Sequence, residues 1–266
     1  MSCFPHYCTQ EYPKCYSDAW VSKLPDRPIS EFTFPGTHDS GCRNNLAFCQ
    51  TQSYSIAIQL SDGIRFLDIR CRHINDVFAI HHGIVYCGIT FGDVLNDCVK
   101  FFNENPGETI IMRVQEEYEE KNCSRSFQET FKSYYYAYEE YISLTEYIPN
   151  LKEIRKKIWI MPNFSFDLGY KWTKADIQDE YQIETNKELD KKVDLIKNHI
   201  LKANTGTLNT LFINFCSGVG YIHWPYSIAK VTNKIPMDYK GKMGIVIMDF
   251  PGEEAVQHLI KQNFNL

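Results

Sequence analysis

Six side chains that could catalyse phosphoryl transfer stand at the ends of short apolar runs, or directly after them. They are His38, Asp39, Asp68, Arg70, His82 and Asp249. A neutral imidazole can accept a proton from an attacking hydroxyl group, and a second, protonated imidazole can donate one to a leaving oxygen. A guanidinium can hold the charge on phosphorus oxygens, and carboxylates can orient the imidazole rings. The combination predicts general acid–base catalysis of phosphoryl transfer.

The apolar runs before these residues have the pattern of β-strands, and α/β barrels carry their reactive groups at the C-terminal ends of strands. Side chains alternate along a strand, so Asp68 and Arg70 share one face. The same alternation sends His81 and His82 to opposite faces, and only one of them can point into the barrel. We therefore expect the six side chains to converge on one mouth of the barrel.

Each candidate also has a structural interpretation that the sequence leaves open. A histidine at a strand end can be a hydrogen-bonded structural residue, and Asp68 with Arg70 can form an interior ion pair. Asp39 and Asp249 can be N-caps of helices. The coincidence of all six at strand ends favours the catalytic interpretation.

Short β-branched runs alternate with helical patterns, which is typical of βα units around a parallel sheet. Apolar residues share one helical face in the segments 94–102, 189–200 and 255–260. The pattern predicts an α/β fold with a single TIM-like (β/α) barrel, complete or irregular, at residues 20–266 after a leader segment at 1–19. A helical excursion is predicted over Glu116–Tyr147. The predicted strands are Phe32–Phe34, Ile64–Arg70, Val77–His81, Thr109–Val114, Ile158–Met161, Leu211–Phe215 and Gly244–Met248.

Composition and charge exclude several classes of protein. Hydrophobic residues make up 44% and aromatic residues 14% of the 266 residues, as in a folded domain. The net charge of −5, from 28 basic and 33 acidic residues, argues against a nucleic-acid partner. Neither a secretory signal nor an apolar run of membrane-spanning length is seen, which predicts a cytoplasmic or peripheral membrane protein.

The ten cysteines include no Cys-x-x-Cys pair, and several fall inside apolar patterns. We expect most of them to be reduced, buried and apolar in character. Cys3, Cys8 and Cys15 lie in the leader, where they could bind a metal, carry a lipid or belong to a covering segment.

Four motifs carry a resemblance to a known family. They are Pro35–Gly41 (PGTHDSG), Gly63–Arg70 (GIRFLDIR), His81–Gly83 (HHG) and Asn105–Met112 (NPGETIIM). In sequence and in order they resemble the X-domain of phosphatidylinositol-specific phospholipases C of the bacterial, metal-independent type. The resemblance extends from Trp20 to the last helix and is most specific through residue 118.

The resemblance implies a two-step reaction on a phosphoinositide lipid. His38 would be the general base on the inositol 2-hydroxyl, with Asp249 on its far ring nitrogen. His82, paired with Asp39, would protonate the departing diacylglycerol oxygen and leave a 1,2-cyclic inositol phosphate.

Arg70 would stabilise the charged transition state, and Asp68 would orient Arg70 or the acid pair. Calcium-dependent members of the family place an acidic metal ligand where this chain has Arg70, and a hard cation needs several oxygen ligands. The resemblance therefore implies neither a metal nor another cofactor.

The headgroup positions of bacterial relatives are only partly matched. Gln115 and Asn163 stand where relatives carry a lysine and an arginine, so positive charge is missing. Asp179 and Tyr181 resemble the family's aspartate and stacking tyrosine for the inositol ring, although a turn aspartate and a surface tyrosine would fit the sequence too.

Phe48 and Trp224 resemble in position the aromatic residues with which relatives touch lipid, with burial in the core as the alternative. The implied partners are a phosphoinositide substrate and, transiently, a membrane surface. We expect a monomer that binds no nucleic acid.

Two other functions remain open at this point. The same chemistry could act on a glycosylphosphatidylinositol or another lipid headgroup, which the missing charges at Gln115 and Asn163 would favour. A catalytically silent lipid-binding protein could keep the fold, but the presence of His38, Arg70 and His82 argues against it.

Overall fold

The computed structural model describes residues 19–43, 46 and 48–264. The strands are β1 Phe34–Thr37, β2 Phe66–Ile74, β3 Val77–His82, β4 Val85–Thr90, β5 Thr109–Glu116, β6 Ile142–Ser143, β7 Lys157–Asn163, β8 Asp176–Gln178, β9 Phe212–Phe215 and β10 Ile245–Met248. The α-helices are α1 Ile56–Ser61, α2 Phe91–Glu104, α3 Phe127–Ala137, α4 Asn186–Thr205, α5 Pro225–Thr232 and α6 Glu253–Lys261. The predicted leader at 1–19 lies, apart from Ala19, outside the described residues.

Eight strands run parallel in the spatial order β6-β7-β5-β2-β1-β10-β9-β8. Strands β3 and β4 extend the C-terminal half of β2 as an antiparallel hairpin. Within the described ranges no ladder joins β6 to β8, the short strands of two and three residues at the ends of this order. The predicted α/β fold with a TIM-like barrel is confirmed, and of the alternatives left open the barrel is the irregular, incomplete one.

The parallel strands are buried on both faces, as expected for a sheet covered by helices. All four residues of β1, of β9 and of β10 are buried. Helix α2 starts at a capping box. The Thr90 side chain accepts a hydrogen bond from the Asp93 N–H, and the Asp93 side chain accepts one from the Thr90 N–H. Its buried face contains Val94, Leu95 and Cys98, as the apolar periodicity predicted.

Strand β1 begins at Phe34, later than the predicted Phe32, and continues through Gly36 to Thr37. A Cβ atom at Gly36 would lie 2.9 Å from the Cβ of Phe66 on the neighbouring β2. Because glycine has no Cβ, the two strands can approach each other here. His38 consequently stands directly at the C-terminal end of β1.

Two predictions about secondary structure need correction. Strands β4, β6 and β8 were not predicted, because β6 and β8 are too short for a periodic pattern and β4 is interrupted by Gly88 at φ 83°. The helical excursion over Glu116–Tyr147 was wrong in extent. Strand β5 continues to Glu116, the Ser126 capping box delays the start of α3 to Phe127, and β6 follows.

The described cysteines agree with the expectation of reduced, mostly buried side chains. None of them forms a disulfide: Cys42, Cys49, Cys71, Cys98 and Cys216 are buried, and Cys87 and Cys123 are half-buried. Cys3, Cys8 and Cys15 lie outside the described residues.

A buried ion pair lies before the N-terminal ends of β2 and β5. Arg65 Nε and Glu108 Oε2 are 2.8 Å apart, and both side chains are fully buried. Glu108 also accepts hydrogen bonds from the backbone N–H groups of Val21 and Ser22. The Arg65 guanidinium lies 4.5 Å from the centre of the Phe101 ring. This cluster joins the first described residues to the base of the sheet.

Candidate active site

A cavity of about 340 Å³ opens at the C-terminal ends of the parallel strands. It is lined by His38, Arg70, His82, Arg113, Gln115, Glu117, Asp179, Tyr181, Ser217, Gly218, Val219 and Pro225. The remaining catalytic candidates, Asp39, Asp68 and Asp249, are buried behind this lining. The structure thus brings all six side chains together, while their roles in catalysis stay a prediction.

His38 is held between a carboxylate and a guanidinium. Its Nδ1 lies 2.8 Å from Asp249 Oδ1, and its Nε2 lies 2.7 Å from Arg70 Nη2. A guanidinium nitrogen can only donate, so Nε2 carries no proton and Nδ1–H donates to Asp249. Burial lowers the pKa of His38, but the carboxylates of Asp249 and Asp39 outweigh burial and raise the pKa above its ordinary value. This geometry suits a general base.

The backbone around His38 and Asp249 is fixed by side chains that lie far away in sequence. Gln52 Nε2 donates to the carbonyl of His38 at 2.7 Å and to that of Met248 at 3.1 Å. Asn233 Nδ2 donates to the carbonyl of Asp249 at 2.8 Å. Gln52 therefore joins the ends of β1 and β10, and nothing in the sequence pattern had indicated it.

His82 faces His38 with the ring centres 6.2 Å apart. Its Nδ1–H donates to the Cys49 carbonyl at 2.8 Å, and its Nε2 lies 3.5 Å from Asp39 Oδ2. Burial lowers the pKa of His82, but Asp39, with smaller contributions from Cys42 and Cys49, raises that pKa to about 9. The ring is therefore cationic at neutral pH and suits a general acid.

The neighbouring His81 points elsewhere, as strand alternation predicted for one of the two histidines. It is buried, its ring centre lies 5.6 Å from that of Tyr86, and it is absent from the cavity lining.

Arg70 is anchored by two carboxylates, because its Nε lies 3.3 Å from Asp39 Oδ1 and 3.3 Å from Asp68 Oδ2. Asp68 Oδ2 also accepts the backbone N–H of Asp39, which has a left-handed φ of 41°. Burial raises the pKa of Asp68, but Arg70 and Arg113 outweigh burial and hold the pKa well below its usual range. The interior ion pair and the catalytic interpretation of Asp68 and Arg70 are thus compatible.

The N-cap interpretations of Asp39 and Asp249 are wrong. Helix α6 is capped at Gly252, and α1 is capped by Ser55, whose side chain accepts from the Ile58 N–H. The carboxylates of both aspartates contact the histidines of the site instead.

Arg113 was missed by the sequence analysis although it lines the cavity. Its Nη1 lies 3.2 Å from Asp68 Oδ1, and its guanidinium lies 4.4 Å from the centre of the Trp172 ring. The residue is only 7% exposed, and its Nε has no hydrogen-bond partner. Alternation along β5 places Arg113 on the same face as Gln115, and this was the signal that could have identified it.

Three of the four predicted headgroup residues line the cavity, and the fourth contacts it only through a neighbour. Gln115, Asp179 and Tyr181 line it, whereas Asn163 contributes through a hydrogen bond from its Nδ2 to Gln115 Oε1 at 3.1 Å. Gln115 Nε2 in turn donates to Glu117 Oε2 at 2.9 Å. This wall of the cavity therefore consists of amides and carboxylates, and Arg113 is the cation beside it.

Phe48 and Trp224 are exposed, at 53% and 48%, so their burial in the core is excluded. Phe48 directly precedes Cys49, whose carbonyl binds His82, and Trp224 directly precedes Pro225 of the cavity lining. The neighbouring Ile222 is 69% exposed. Exposed apolar side chains thus lie on two loops beside the mouth of the cavity.

In the part of the chain that the structure describes, one group of side chains has the spacing of a metal site. His73, Asp76 and Cys123 place their ligand atoms within 4.8 Å of one another. The group lies by the β2–β3 turn, and its members are not part of the cavity lining. The Asp76 carboxylate already accepts hydrogen bonds from the N–H groups of Ser124 and Arg125.

Comparison with known proteins places this site in a family. The family model described as "Phosphatidylinositol-specific phospholipase C, X domain" matches residues 25–163. The chain belongs to this family.

Within the described residues no helix is both long and apolar enough to cross a bilayer.

Relatives that match most of this chain include bacterial phosphodiesterases. A 1-phosphatidylinositol phosphodiesterase of Staphylococcus aureus (strain Newman) is 29% identical, over 92% of this chain and 93% of the relative. One of Listeria monocytogenes serovar 1/2a is 28% identical, over 92% and 84%. The solved phosphatidylinositol-specific phospholipase C from Listeria monocytogenes has a TM-score of 0.80 at 27% identity, covering 92% of this chain and 98% of that one. The family predicted from the four motifs is confirmed.

Proposed function

We propose that this chain is a phosphatidylinositol-specific phospholipase C that cleaves phosphatidylinositol to diacylglycerol and 1,2-cyclic inositol phosphate. The observation that carries the proposal is the geometry of two facing histidines. His38 contacts Asp249 through Nδ1 and Arg70 through Nε2, and His82 Nε2 lies 3.5 Å from Asp39 Oδ2, which favours a base at His38 and an acid at His82. The curated names of the bacterial relatives support the same substrate.

The first step begins when His38 Nε2 takes the proton of the inositol 2-hydroxyl, while Asp249 stabilises the imidazolium that forms. The hydroxyl oxygen then attacks phosphorus, and the Arg70 guanidinium holds the charge on the non-bridging oxygens. His82 donates its proton to the glycerol oxygen, and the bond between that oxygen and phosphorus breaks. Water then opens the cyclic product, with His82 acting as the general base and His38 as the general acid.

The charges needed for this step come from the protein. Arg70 supplies a cation at the phosphorus position, and Asp39 and Asp68 orient it through two contacts of 3.3 Å. We therefore expect activity without a metal ion.

The headgroup would bind against Arg113, Gln115, Asp179 and Tyr181. Arg113 lines the cavity and supplies positive charge that positions 115 and 163 lack. The Tyr181 ring is 53% exposed and can stack on the apolar face of the inositol ring. Asn163 would act indirectly, by orienting the Gln115 amide.

The exposed side chains of Phe48, Ile222 and Trp224 would contact the lipid surface beside the substrate. Aromatic and aliphatic side chains at the mouth of a cavity suit the boundary between headgroups and acyl chains. We propose that residues 20–266 form the catalytic barrel and act as a monomer that binds the membrane transiently.

A glycosylphosphatidylinositol is the second candidate substrate. Glu117 and Asp179 line the cavity, and their carboxylates could bind an amino sugar that extends from the inositol ring. Product analysis on both lipids would separate the two candidates.

The test is cleavage of phosphatidylinositol in mixed micelles, with and without a chelator, followed by phosphorus NMR. We expect a cyclic 1,2-phosphate in both conditions, and losses of at least about 10³-fold in His38→Ala and in His82→Ala. His81→Gln is the matched control, because this neighbouring histidine points away from the cavity. Loss of turnover on chelation, or a His82→Ala variant as active as His81→Gln, would refute the proposal.

A further inference from the structure

Lys192 of α4 is a buried cation that the proposed mechanism does not use. The residue has no exposed surface. Among the residues that the structure describes, its Nζ has a single hydrogen-bond partner, the amide oxygen Oε1 of Gln178 at 3.3 Å. A buried ammonium group with one neutral acceptor costs free energy of folding. Such a cost is typical of a residue that serves function rather than stability.

The Gln178 amide that Lys192 contacts is held at both ends. Its Oε1 accepts hydrogen bonds from Lys192 Nζ and, at 2.9 Å, from the backbone N–H of Glu180. Its Nε2 donates to Asn214 Oδ1 at 2.7 Å and to the Phe215 carbonyl at 2.9 Å. An ammonium group can only donate, so Lys192 fixes which end of this amide is the oxygen.

The loop that follows Gln178 carries two of the predicted headgroup residues. Gln178 is the last residue of β8, and Asp179 and Tyr181, which come directly after it, line the cavity. At the far end of the loop, the Val219 N–H donates to the Tyr181 carbonyl at 2.8 Å. The hydrogen bond from Glu180 to Gln178 therefore fixes the near end, and Lys192 holds its acceptor in place.

The charge of Lys192 is retained at neutral pH. Burial lowers its pKa to about 8, and Cys216, Asp179 and Asp249 oppose that shift. The ammonium form thus predominates at pH 7, and only this form is certain to donate to Gln178.

We propose that Lys192 is a positioning residue for the headgroup site. Its buried ammonium group fixes the Gln178 amide, and through that amide the loop that presents Asp179 and Tyr181 to the inositol ring. This inference deepens the proposed phospholipase function and rests on it.

Two neighbouring lysines allow a matched test. Lys192→Met removes the buried charge and keeps a side chain of similar length. Lys191→Met is the control, because Lys191 is the preceding residue of α4 and contacts the same loop, with its Nζ 2.9 Å from Glu180 Oε2. The Lys191 side chain is 61% exposed, so the two variants make the same change in charge and differ in burial.

Kinetics on phosphatidylinositol in mixed micelles and urea denaturation would be measured for both variants. Lys192→Met should raise KM about tenfold and leave kcat within about twofold, because the loop would bind the headgroup equally in the ground state and the transition state. Its stability should equal or exceed that of the unchanged chain, because a poorly paired buried charge is removed. Lys191→Met should leave KM and kcat unchanged. A merely structural lysine would give the reverse, with lower stability and an unchanged KM.

Hydrogen exchange at the Glu180 amide, followed by NMR, measures the position of the loop without any turnover. This N–H donates to Gln178 Oε1, so its exchange should be at least about fivefold faster in Lys192→Met and unchanged in Lys191→Met.

Three results would overturn the proposal. They are a Lys192→Met variant with an unchanged KM, one that loses stability or does not fold, and one in which the Glu180 amide exchanges at the unchanged rate. If the unchanged chain cleaved no phosphatidylinositol, the proposed function would fail, and the exchange measurement would still decide whether Lys192 holds the loop.

Discussion

Strands β2 and β5 carry buried charges at both ends, and the two clusters differ in how completely their polar atoms are used. Before the strands, Arg65 pairs with Glu108, and both side chains have no exposed surface. Near their C-terminal ends, Arg70 and Arg113 meet Asp68, while 16% of the Arg70 side chain remains exposed.

The difference shows which cluster is built for stability and which for binding. Both Glu108 oxygens accept hydrogen bonds, from Arg65 and from the backbone of Val21 and Ser22. At the other end, Asp249 Oδ2 and Arg113 Nε have no hydrogen-bond partner. Buried polar atoms without a partner cost stability, which is typical of a site that serves function rather than stability.

The largest effect is expected from Glu108→Ala, which leaves the Arg65 cation buried without its carboxylate. Breaking a buried ion pair in this way costs about 3–5 kcal/mol of the free energy of unfolding. Urea denaturation would measure the loss, and turnover per folded molecule should stay within about twofold, because residue 108 lies at the far end of β5 from the cavity. A stability close to that of the unchanged chain would show that this cluster is not structural.

Arg70→Lys should lower kcat by about 10²–10³-fold. The ammonium group of lysine cannot replace the guanidinium as a bidentate hydrogen-bond donor to the phosphorus oxygens. The charge beside Asp39 and Asp68 is kept, so the chain should still fold. Turnover on phosphatidylinositol and a thermal melt would be measured together. A kcat within threefold of the unchanged chain would remove Arg70 from the proposed transition state.

The pH dependence of kcat should be bell-shaped. His38 must be neutral, so activity rises as pH increases through the raised pKa of His38, and His82 must be cationic, so activity falls near pH 9. Asp39→Asn removes the carboxylate that stabilises the His82 cation, so the alkaline limb should move down by about one pH unit. An alkaline limb unchanged in Asp39→Asn would contradict the pairing of Asp39 with His82.

Arg113→Met should raise KM about tenfold with little change in kcat, because Arg113 would bind the headgroup equally in the ground state and the transition state. Arg72→Met is the matched control on β2, since Arg72 contacts Tyr118 and does not line the cavity. Equal KM values for the two variants would exclude Arg113 from the headgroup site.

The smallest effect is expected from Trp224→Ala, which should weaken binding to phosphatidylcholine vesicles about threefold to tenfold. Tyr136→Ala, at a side chain that is 67% exposed on α3, should leave vesicle binding unchanged. Sedimentation with vesicles would compare them, and equal binding would place the lipid contact elsewhere.

Much of the site could be predicted because its residues occur at strand ends in recognisable motifs. His38, Arg70, His82 and Asp249 follow apolar runs, and alternation along β2 correctly paired Arg70 with Asp68. Gln52 could not be predicted, because its two hydrogen bonds depend on how a loop folds over β1 and β10. The short strands β6 and β8 were missed for a similar reason, since their conformation comes from their neighbours in the sheet.

The sequence by itself determined the α/β class, the positions of the reactive side chains and the family, because periodicity and local motifs are properties of neighbouring residues. Only the tertiary structure decided which side chains contact the rings of His38 and His82, and therefore which ring nitrogens carry protons. The unprotonated Nε2 of His38 follows from its contact with Arg70, and the cation of His82 follows from its contact with Asp39. These are contacts between residues distant in the chain, and burial together with distance sets their strength.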